Sequence, residues 1–424
     1  MNNYRKSAFT RIVCMMIVQA ASMAHEASIR RIDGYVQLYA IARKSEVEHI
    51  IVGKETREYN GGYVTDGVYF VVSADGSSPI SKHRFAESVD FDTDQDTSFV
   101  PFTVDAIDND NYIVAGSKGI VAKMDSHGAW SLLHRPCEED IVCIDFRSHL
   151  VGVACSGKNH VYVTFDGGMS WQGHLISELT SINEVKFVSD EILLIQLNSG
   201  TLVTYNVRTG DKELNTGVGG IASSQSRIAY HDRTCLLVGS MRKATNIGHQ
   251  ADVVLRRSTD WGSTWQTLLD GFYESTAFGL LVVYLNDRGI GLALGVGRAG
   301  FYSMDSGATW TNFILPDNIP TSFVPSDVTP LGDNSFRIID NGQPMIVDIH
   351  LSVPMSTETN YINTSSYDSH DIRCKDHPMR NLVCDYTGRL THESVLQQSC
   401  DNNQLWCPME LMRRACCGWP VICR

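Results

Sequence analysis

Thr164-Phe-Asp166-Gly-Gly168-Met-Ser170-Trp171 follows the pattern Ser/Thr-x-Asp-x-Gly-x-Ser/Thr-Trp. The same pattern returns at Ser258-Thr-Asp260-Trp-Gly262-Ser-Thr264-Trp265 and at Ser303-Met-Asp305-Ser-Gly307-Ala-Thr309-Trp310. A degenerate copy, Lys123-Met-Asp125-Ser-His-Gly128-Ala-Trp130, has its glycine shifted by one, and Ser73-Ala-Asp75-Gly76-Ser77 is weaker still. The aspartates at 75, 125, 166, 260 and 305 stand 50, 41, 94 and 45 residues apart. The long step is two periods of 47, with Thr204-Tyr-Asn206-Val-Arg-Thr-Gly210 as an eroded copy between them. A period of roughly 40–50 residues is that of a four-stranded propeller blade. Apolar runs and glycine turns precede the copies, as in Ile113-Val-Ala-Gly116-Ser-Lys-Gly119, so each unit reads as antiparallel hairpins. Between residues 28 and 350 the period predicts seven blades, or six if one end completes none.

Within the repeat each residue type has a physical reason. Aspartate accepts backbone N–H bonds in a turn, glycine adopts positive φ, and tryptophan is a large apolar anchor whose N–H still finds a partner. The repeat resembles the Asp-box, or bacterial neuraminidase repeat, and residues 25–350 resemble an Asp-box β-propeller. That resemblance implies structural roles for Asp166, Gly168, Trp171, Asp260, Gly262, Trp265, Asp305, Gly307 and Trp310. The layout is most similar to propellers of the photosystem II assembly and stability factor type. Those place a Gly-x-x-Gly turn before a Thr/Ser-x-Asp-Gly-Gly-x-Thr-Trp box; Gly116-Ser-Lys-Gly119 and Gly297-Arg-Ala-Gly300 match the turn, and Asp166-Gly-Gly168 matches the box.

Sialidases resemble the chain more distantly, and they imply an Arg-Ile-Pro segment, two further arginines, an aspartate acid and a Tyr/Glu pair. Arginine suits a substrate carboxylate because it binds bidentately. Here Arg31-Ile32-Asp33 puts an acid where the proline would be, which opposes an anionic ligand. A second echo, Phe336-Arg337-Ile338, lies at the other end of the repeats, and Arg233, Arg256 and Arg298 are the remaining clamp candidates. Arg31 is thus the one catalytic candidate, and paired carboxylates among 48 acids select no glycosidase site.

The chain has 424 residues and a net charge of −13, without a long Lys/Arg run, which argues against nucleic acid or anionic membrane as partner. Residues 1–24 read as a secretory signal: Arg5, Lys6 and Arg11, an apolar run over 12–21, then Ser22-Met23-Ala24 for cleavage. No stretch is long enough to span a bilayer. Seven of the twelve cysteines, Cys374, Cys384, Cys400, Cys407, Cys416, Cys417 and Cys423, crowd the last 51 residues and predict a small disulfide-rich module over 371–424, after a Ser/Thr/Asn-rich linker over 351–370. Cys137, Cys143, Cys155 and Cys235 are further disulfide candidates, the first three for a bridge within one blade.

Asp92, Asp94 and Asp96 alternate in an acidic loop that suits calcium, a hard ion preferring oxygen ligands, although the spacing is not that of an EF-hand. No other cofactor is implied. Gly295-Val-Gly297-Arg-Ala-Gly300 matches a dinucleotide fingerprint only literally, because Phe301-Tyr302 and a box follow instead of a helix. The expectation is an all-β, six- or seven-bladed propeller, secreted or periplasmic, that presents protein or glycan with a binding surface on one face. The alternative is a sialidase-like glycoside hydrolase.

Overall fold

The structure is a computed structural model that describes residues 26–43, 48–91, 98–107, 111–177, 180–215, 222–245, 248–271 and 279–352, together with 383–384 and 390–391. Seven four-stranded antiparallel sheets follow one another along the chain and form the blades of a propeller. We letter the strands of each blade A to D from the axis outward. Blades 1 to 6 span 35–84, 101–132, 141–175, 182–215, 222–271 and 280–314, and in each the strand order equals the chain order.

Blade 7 closes the ring. Its strands A to C are Pro325–Pro330, Ser335–Asp340 and Met345–His350, and its strand D is the first strand of the chain, Glu26–Arg31. That pairing runs from Glu26↔His350 to Arg31↔Met345, so the two ends of the propeller hold each other by a full strand ladder. Six or seven blades were expected, and seven are formed. The chain divides into two compact units, Met1–Pro354 and Met355–Arg424. In the second, only the short pairing of Val383–Cys384 with Leu390–Thr391 is described.

One apolar cluster lies at each of the seven interfaces between neighbouring blades. Between blades 1 and 2, for example, Tyr69 and Phe85 meet Phe99, Tyr112 and Trp130. These sheets are covered on both faces, so their strands read as nearly continuous Val/Ile/Leu runs; Gly152–Ser156 and Gly291–Gly295 are buried throughout. Phe146 and Trp171 meet edge to face at 6.3 Å within the cluster between blades 2 and 3.

The antiparallel order also fixes the two ends of the ring. A–B and C–D turns lie at one end, and B–C turns with the D–A connections lie at the other. The eight-residue repeats are C–D turns of blades 3, 5 and 6, and the degenerate copies at Asp75, Asp125 and Asn206 are the same turn of blades 1, 2 and 4. Among the described residues, no helix is long and apolar enough to cross a membrane.

Candidate functional site

In a ring of this kind the innermost strands line the axis, so groups that converge there are the first to inspect. Each of the seven A strands breaks register once, as between Pro101 and Thr103 or between Ile182 and Glu184. Past the bulge, strand A is the inner edge of its sheet and turns alternate N–H groups toward the axis, where no ladder partner exists. Side chains of the preceding blade take several of them up, in two layers. In the first, Ile144 N–H donates to Thr103 Oγ1 (3.3 Å), Ile228 N–H to Glu184 Oε2 (2.7 Å) and Ile41 N–H to Asp327 Oδ2 (2.9 Å). In the second, Phe146 N–H donates to Asp105 Oδ2 (2.6 Å) and Phe187 N–H to Asp145 Oδ2 (2.7 Å).

These carboxylates sit in dense surroundings although Asp105 and Asp327 keep some surface on the axis. Burial raises Asp105 to about 7, with the Asp145 charge adding to it, and burial likewise raises Glu184 and Asp327. Burial alone would lower the Lys186 ammonium; Asp145, Cys143, Glu184 and Asp105 around it push it well above the ordinary lysine range instead. Its Nζ donates to Asp145 Oδ1 at 3.0 Å.

A carboxyl that titrates near neutrality has the tuning of a general acid–base group. Asp105, however, spends both oxygens on the backbone, Oδ1 on its own strand at Ala106 and Oδ2 on the next blade at Phe146. These axial groups therefore hold blade to blade. Their sequence signal was a charged residue at the third or fifth position of a six-residue strand, as Asp145 in Ile141–Phe146 and Glu184 and Lys186 in Ile182–Phe187.

The arginines singled out from the sequence do not converge. Arg31 is exposed on strand D of blade 7 and donates to Gln343 Oε1 at 3.1 Å. Arg233 lies over the Trp261 ring at 4.5 Å, Arg298 pairs with Asp317, and Arg256 is on strand C of blade 5. Arg337 is fully buried and engaged: Nε and Nη2 clasp Asp348 at 2.7 and 2.8 Å, while Nη1 and Nη2 reach the Ser73 and Ala74 carbonyls of blade 1. Its Nη1 also donates to His49 Nδ1 at 3.2 Å, because His49 Nε2–H is committed to the Pro330 carbonyl at 3.1 Å. This is a second clasp between the first and last blades.

The three full repeats share one geometry. Asp305 accepts from Ser303 Oγ, Thr309 N–H and Thr309 Oγ1 at 2.9, 2.8 and 2.6 Å, and Gly307 N–H donates to Ser303 Oγ at 2.9 Å. Asp260 and Asp166 repeat these contacts with Ser258 and Thr264, and with Thr164 and Ser170. Gly168, Gly262 and Gly307 have φ of +89°, +85° and +74°, where a side chain would be strained. The indole N–H groups of Trp265 and Trp310 donate back to the Gly262 and Gly307 carbonyls, whereas Trp171 donates to His134 O in the connection before its blade. The Ser170 hydroxyl and N–H hold the Asp166 carboxyl down at about 2.

The cysteines depart from expectation. Cys137, Cys143, Cys155 and Cys235 are free thiols, so the bridge expected within one blade is not formed. Cys143 and Cys155 face each other across strands A and B of blade 3, and the Cys143 thiol donates to the Val185 carbonyl of blade 4 at 3.4 Å, in the layer where other blades use Thr103 or Glu184. Cys374, Cys400, Cys407, Cys416, Cys417 and Cys423 lie outside the described residues, and for Cys384 only the backbone pairing is described. Asp92, Asp94 and Asp96 also lie outside them. Among the described residues, no group of three or more His, Cys, Asp or Glu side chains is placed to hold a metal ion. Gly297, at φ +91°, belongs to the B–C turn of blade 6, as the sequence reading of its glycines requires.

Large apolar side chains are exposed at both ends: Leu150, Phe165 and Met169 in the A–B and C–D turns of blade 3, and three tyrosines of blade 1 at the B–C end. Blade 1 has two 12-residue strands, Glu48–Tyr59 and Gly62–Ser73, that reach well past the neighbouring blades. Tyr63 and Tyr59 on this hairpin are 80 % and 55 % exposed, and Tyr35, at the start of the adjoining strand A, is 84 % exposed. Blade 5 projects a comparable hairpin, Thr234–Thr245 with Gly248–Ser258, from the same end.

The fold is similar to that of YCF48 from Cyanidioschyzon merolae, with a TM-score of 0.55 and 15 % identity over 76 % of this chain and 98 % of that chain. A second solved structure, YCF48 bound to D1 peptide, gives 0.53 and 12 % over 77 % and 97 %. The WD40 β-propeller domain of Doa1 gives 0.54 and 11 % over 77 % and 96 %. No protein-family model matches the sequence, and no curated protein does. At these identities the likeness establishes the propeller fold.

Proposed function

We propose that this chain is a non-catalytic scaffold that binds a protein partner at the B–C end of the ring. One observation carries the reading. Charged groups that converge on the axis bond between blades, whereas Tyr59 and Tyr63 stand exposed on a projecting hairpin. Tyrosine supplies large, rigid contact area at low entropic cost and is enriched at binding hot spots. A peptide-bound propeller among the solved neighbours supports the same reading.

We further assign the repeats to the Asp-box type, on the shared hydrogen-bond geometry of Asp166, Asp260 and Asp305. Export after cleavage of residues 1–24, and a disulfide-rich module over 371–424, rest on the sequence alone. Chemical crosslinking of the full chain in its native source, read by mass spectrometry, is expected to join a partner protein to lysines or tyrosines of blades 1 and 5. Turnover of a fluorogenic glycoside that disappears in Arg31→Ala would overturn the scaffold reading in favour of a sialidase-like hydrolase.

A further inference from the structure

The blade 1 hairpin carries an unusual edge. Asn60 and Gly61 have φ of +52° and +76°, and they join Tyr59 to Gly62, its partner in register. That is the two-residue turn of a tight hairpin, whose flanking pair exchanges hydrogen bonds. Hydrogen-bonded and non-hydrogen-bonded pairs alternate from there, so Glu58↔Tyr63 and Thr56↔Thr65 are of the second kind. Tyr63 and Thr65 therefore turn their N–H and C=O groups outward, away from strand B. The same parity reaches Val71, whose carbonyl accepts from the Ser81 hydroxyl on strand D at 3.3 Å.

Strand D, Ser81–Arg84, covers only Val68 to Val71. Upstream of it, the outward groups of Tyr63 and Thr65 meet no backbone partner among the described residues. Proteins guard such edges with proline, lysine or inward charge. Gly62-Tyr-Val-Thr-Asp-Gly67 has neither proline nor lysine, and its single charge, Asp66, is buried and neutralised by Arg57 at 2.6 Å. Tyr63, Val64 and Thr65 are instead aromatic or β-branched residues with high strand propensity.

We infer that this edge takes up an extended segment of a partner protein as an added strand, with Tyr63 and Thr65 exchanging backbone hydrogen bonds with it. The inference rests on the protein-binding reading above and specifies its mode. Spaced outward N–H and C=O groups demand an occupant with the same spacing, which an extended peptide has and a glycan lacks. Alternate side chains of the segment lie beside Tyr63 and Thr65 on one face and beside Val64 on the other. A second copy of this chain fits less well, because two bodies of charge −13 repel; the segment is neutral or basic.

The test uses the full chain and a panel of short synthetic peptides of alternating valine and threonine with terminal lysines. Each peptide is paired with twins N-methylated on alternate residues, so that one edge or the other loses its donors. The expected result is protection of the Tyr63 and Thr65 amides from hydrogen exchange. Affinity should fall about tenfold in Thr65→Pro, which removes an outward N–H and leaves the bonds to strand B in place, and by a similar factor for one methylated twin. The twin tests the bond even if Thr65→Pro fails to fold.

Absence of peptide binding, binding without protection at residues 62–67, equal affinity for both twins, or dimerisation of the chain through this edge on sedimentation would each overturn the inference. A crosslinked partner that Thr65→Pro still captures would leave the scaffold reading standing and remove only the added strand. Loss of any partner from the wild-type chain would remove both.

Discussion

The two ends of the ring obey different rules. At the C–D end, six blades repeat one kind of turn, in which an Asp or Asn side chain satisfies backbone amides, and the last blade is clasped to the first by Arg337. At the B–C end the blades differ: blade 2 turns through Ser117–Gly119, while blades 1 and 5 run out into long hairpins. A turn whose polar groups are all bonded internally has little left for a ligand. The turns that hold the ring thus lie at one end and the proposed binding surface at the other, a division that variants at either end can break.

The largest effect is expected at the clasp. Arg337→Ala takes the bidentate partner from Asp348, which keeps Arg30 at 3.2 Å, and removes the donors to the Ser73 and Ala74 carbonyls. Removing one partner of a buried pair costs about 3–5 kcal/mol. Urea unfolding should show that loss; a change under about 1 kcal/mol would mean that the strand ladder of Glu26–Arg31 closes the ring unaided.

The same clasp should make stability depend on pH. Burial lowers His49 from 6.5 to about 4, with nearby Arg337 acting in the same direction, against the bond to Pro330. Between those values the unfolded chain binds a proton that the folded chain refuses. Stability should then be fully present above pH 6.5, fall as the pH drops towards 4, and level off below, a total of roughly 3 kcal/mol. His49→Gln should flatten that part of the curve. An unchanged slope would locate the titration elsewhere.

A single aspartate turn should matter less, because each is one of several. Asp305→Ala removes three hydrogen bonds at a turn that is partly exposed and is expected to cost about 1–2 kcal/mol by denaturation. Asp305→Asn keeps an acceptor and should recover part of it.

These turns were legible in the sequence because their geometry demands Asp, Gly and Trp at fixed spacing, and even eroded copies at Asp125 and Asn206 keep the acceptor and a positive-φ glycine, Gly128 or Gly210. Ring closure was not legible, since pairing Glu26–Arg31 with Met345–His350 depends on residues more than 300 positions apart. Arg337 drew notice as an echo of a ligand clamp, yet only burial reveals that its partners are Asp348 and two carbonyls of blade 1. The axial acids were hidden because a charged residue in a short strand, such as Asp145 in Ile141–Phe146, reads as a solvated position. The propeller cysteines misled for a different reason. A crowded tail suggests oxidation throughout, but Cys143, Cys155 and Cys235 are 8 %, 0 % and 0 % exposed within strands and pack as small apolar residues. The hairpin of blade 1 left its trace in Asn60-Gly61, a strong turn signal lying outside the box pattern.

The smallest effect on stability is expected where the effect on binding should be large. Tyr35 and Tyr63 lie on the same face of the hairpin, each paired across to strand B, at Thr56 and Glu58, and they bury little of their rings. Replacing an exposed side chain away from caps and cores changes stability within about 0.5 kcal/mol. Tyr35→Ser with Tyr63→Ser should thus unfold at the same urea concentration as the parent while losing its crosslinked partner. If the double variant is destabilised by as much as Asp305→Ala, these rings brace the hairpin and the division between the two ends fails. If stability and partner capture both survive, recognition lies on another part of the B–C end, and the hairpin of blade 5 becomes the element to alter next.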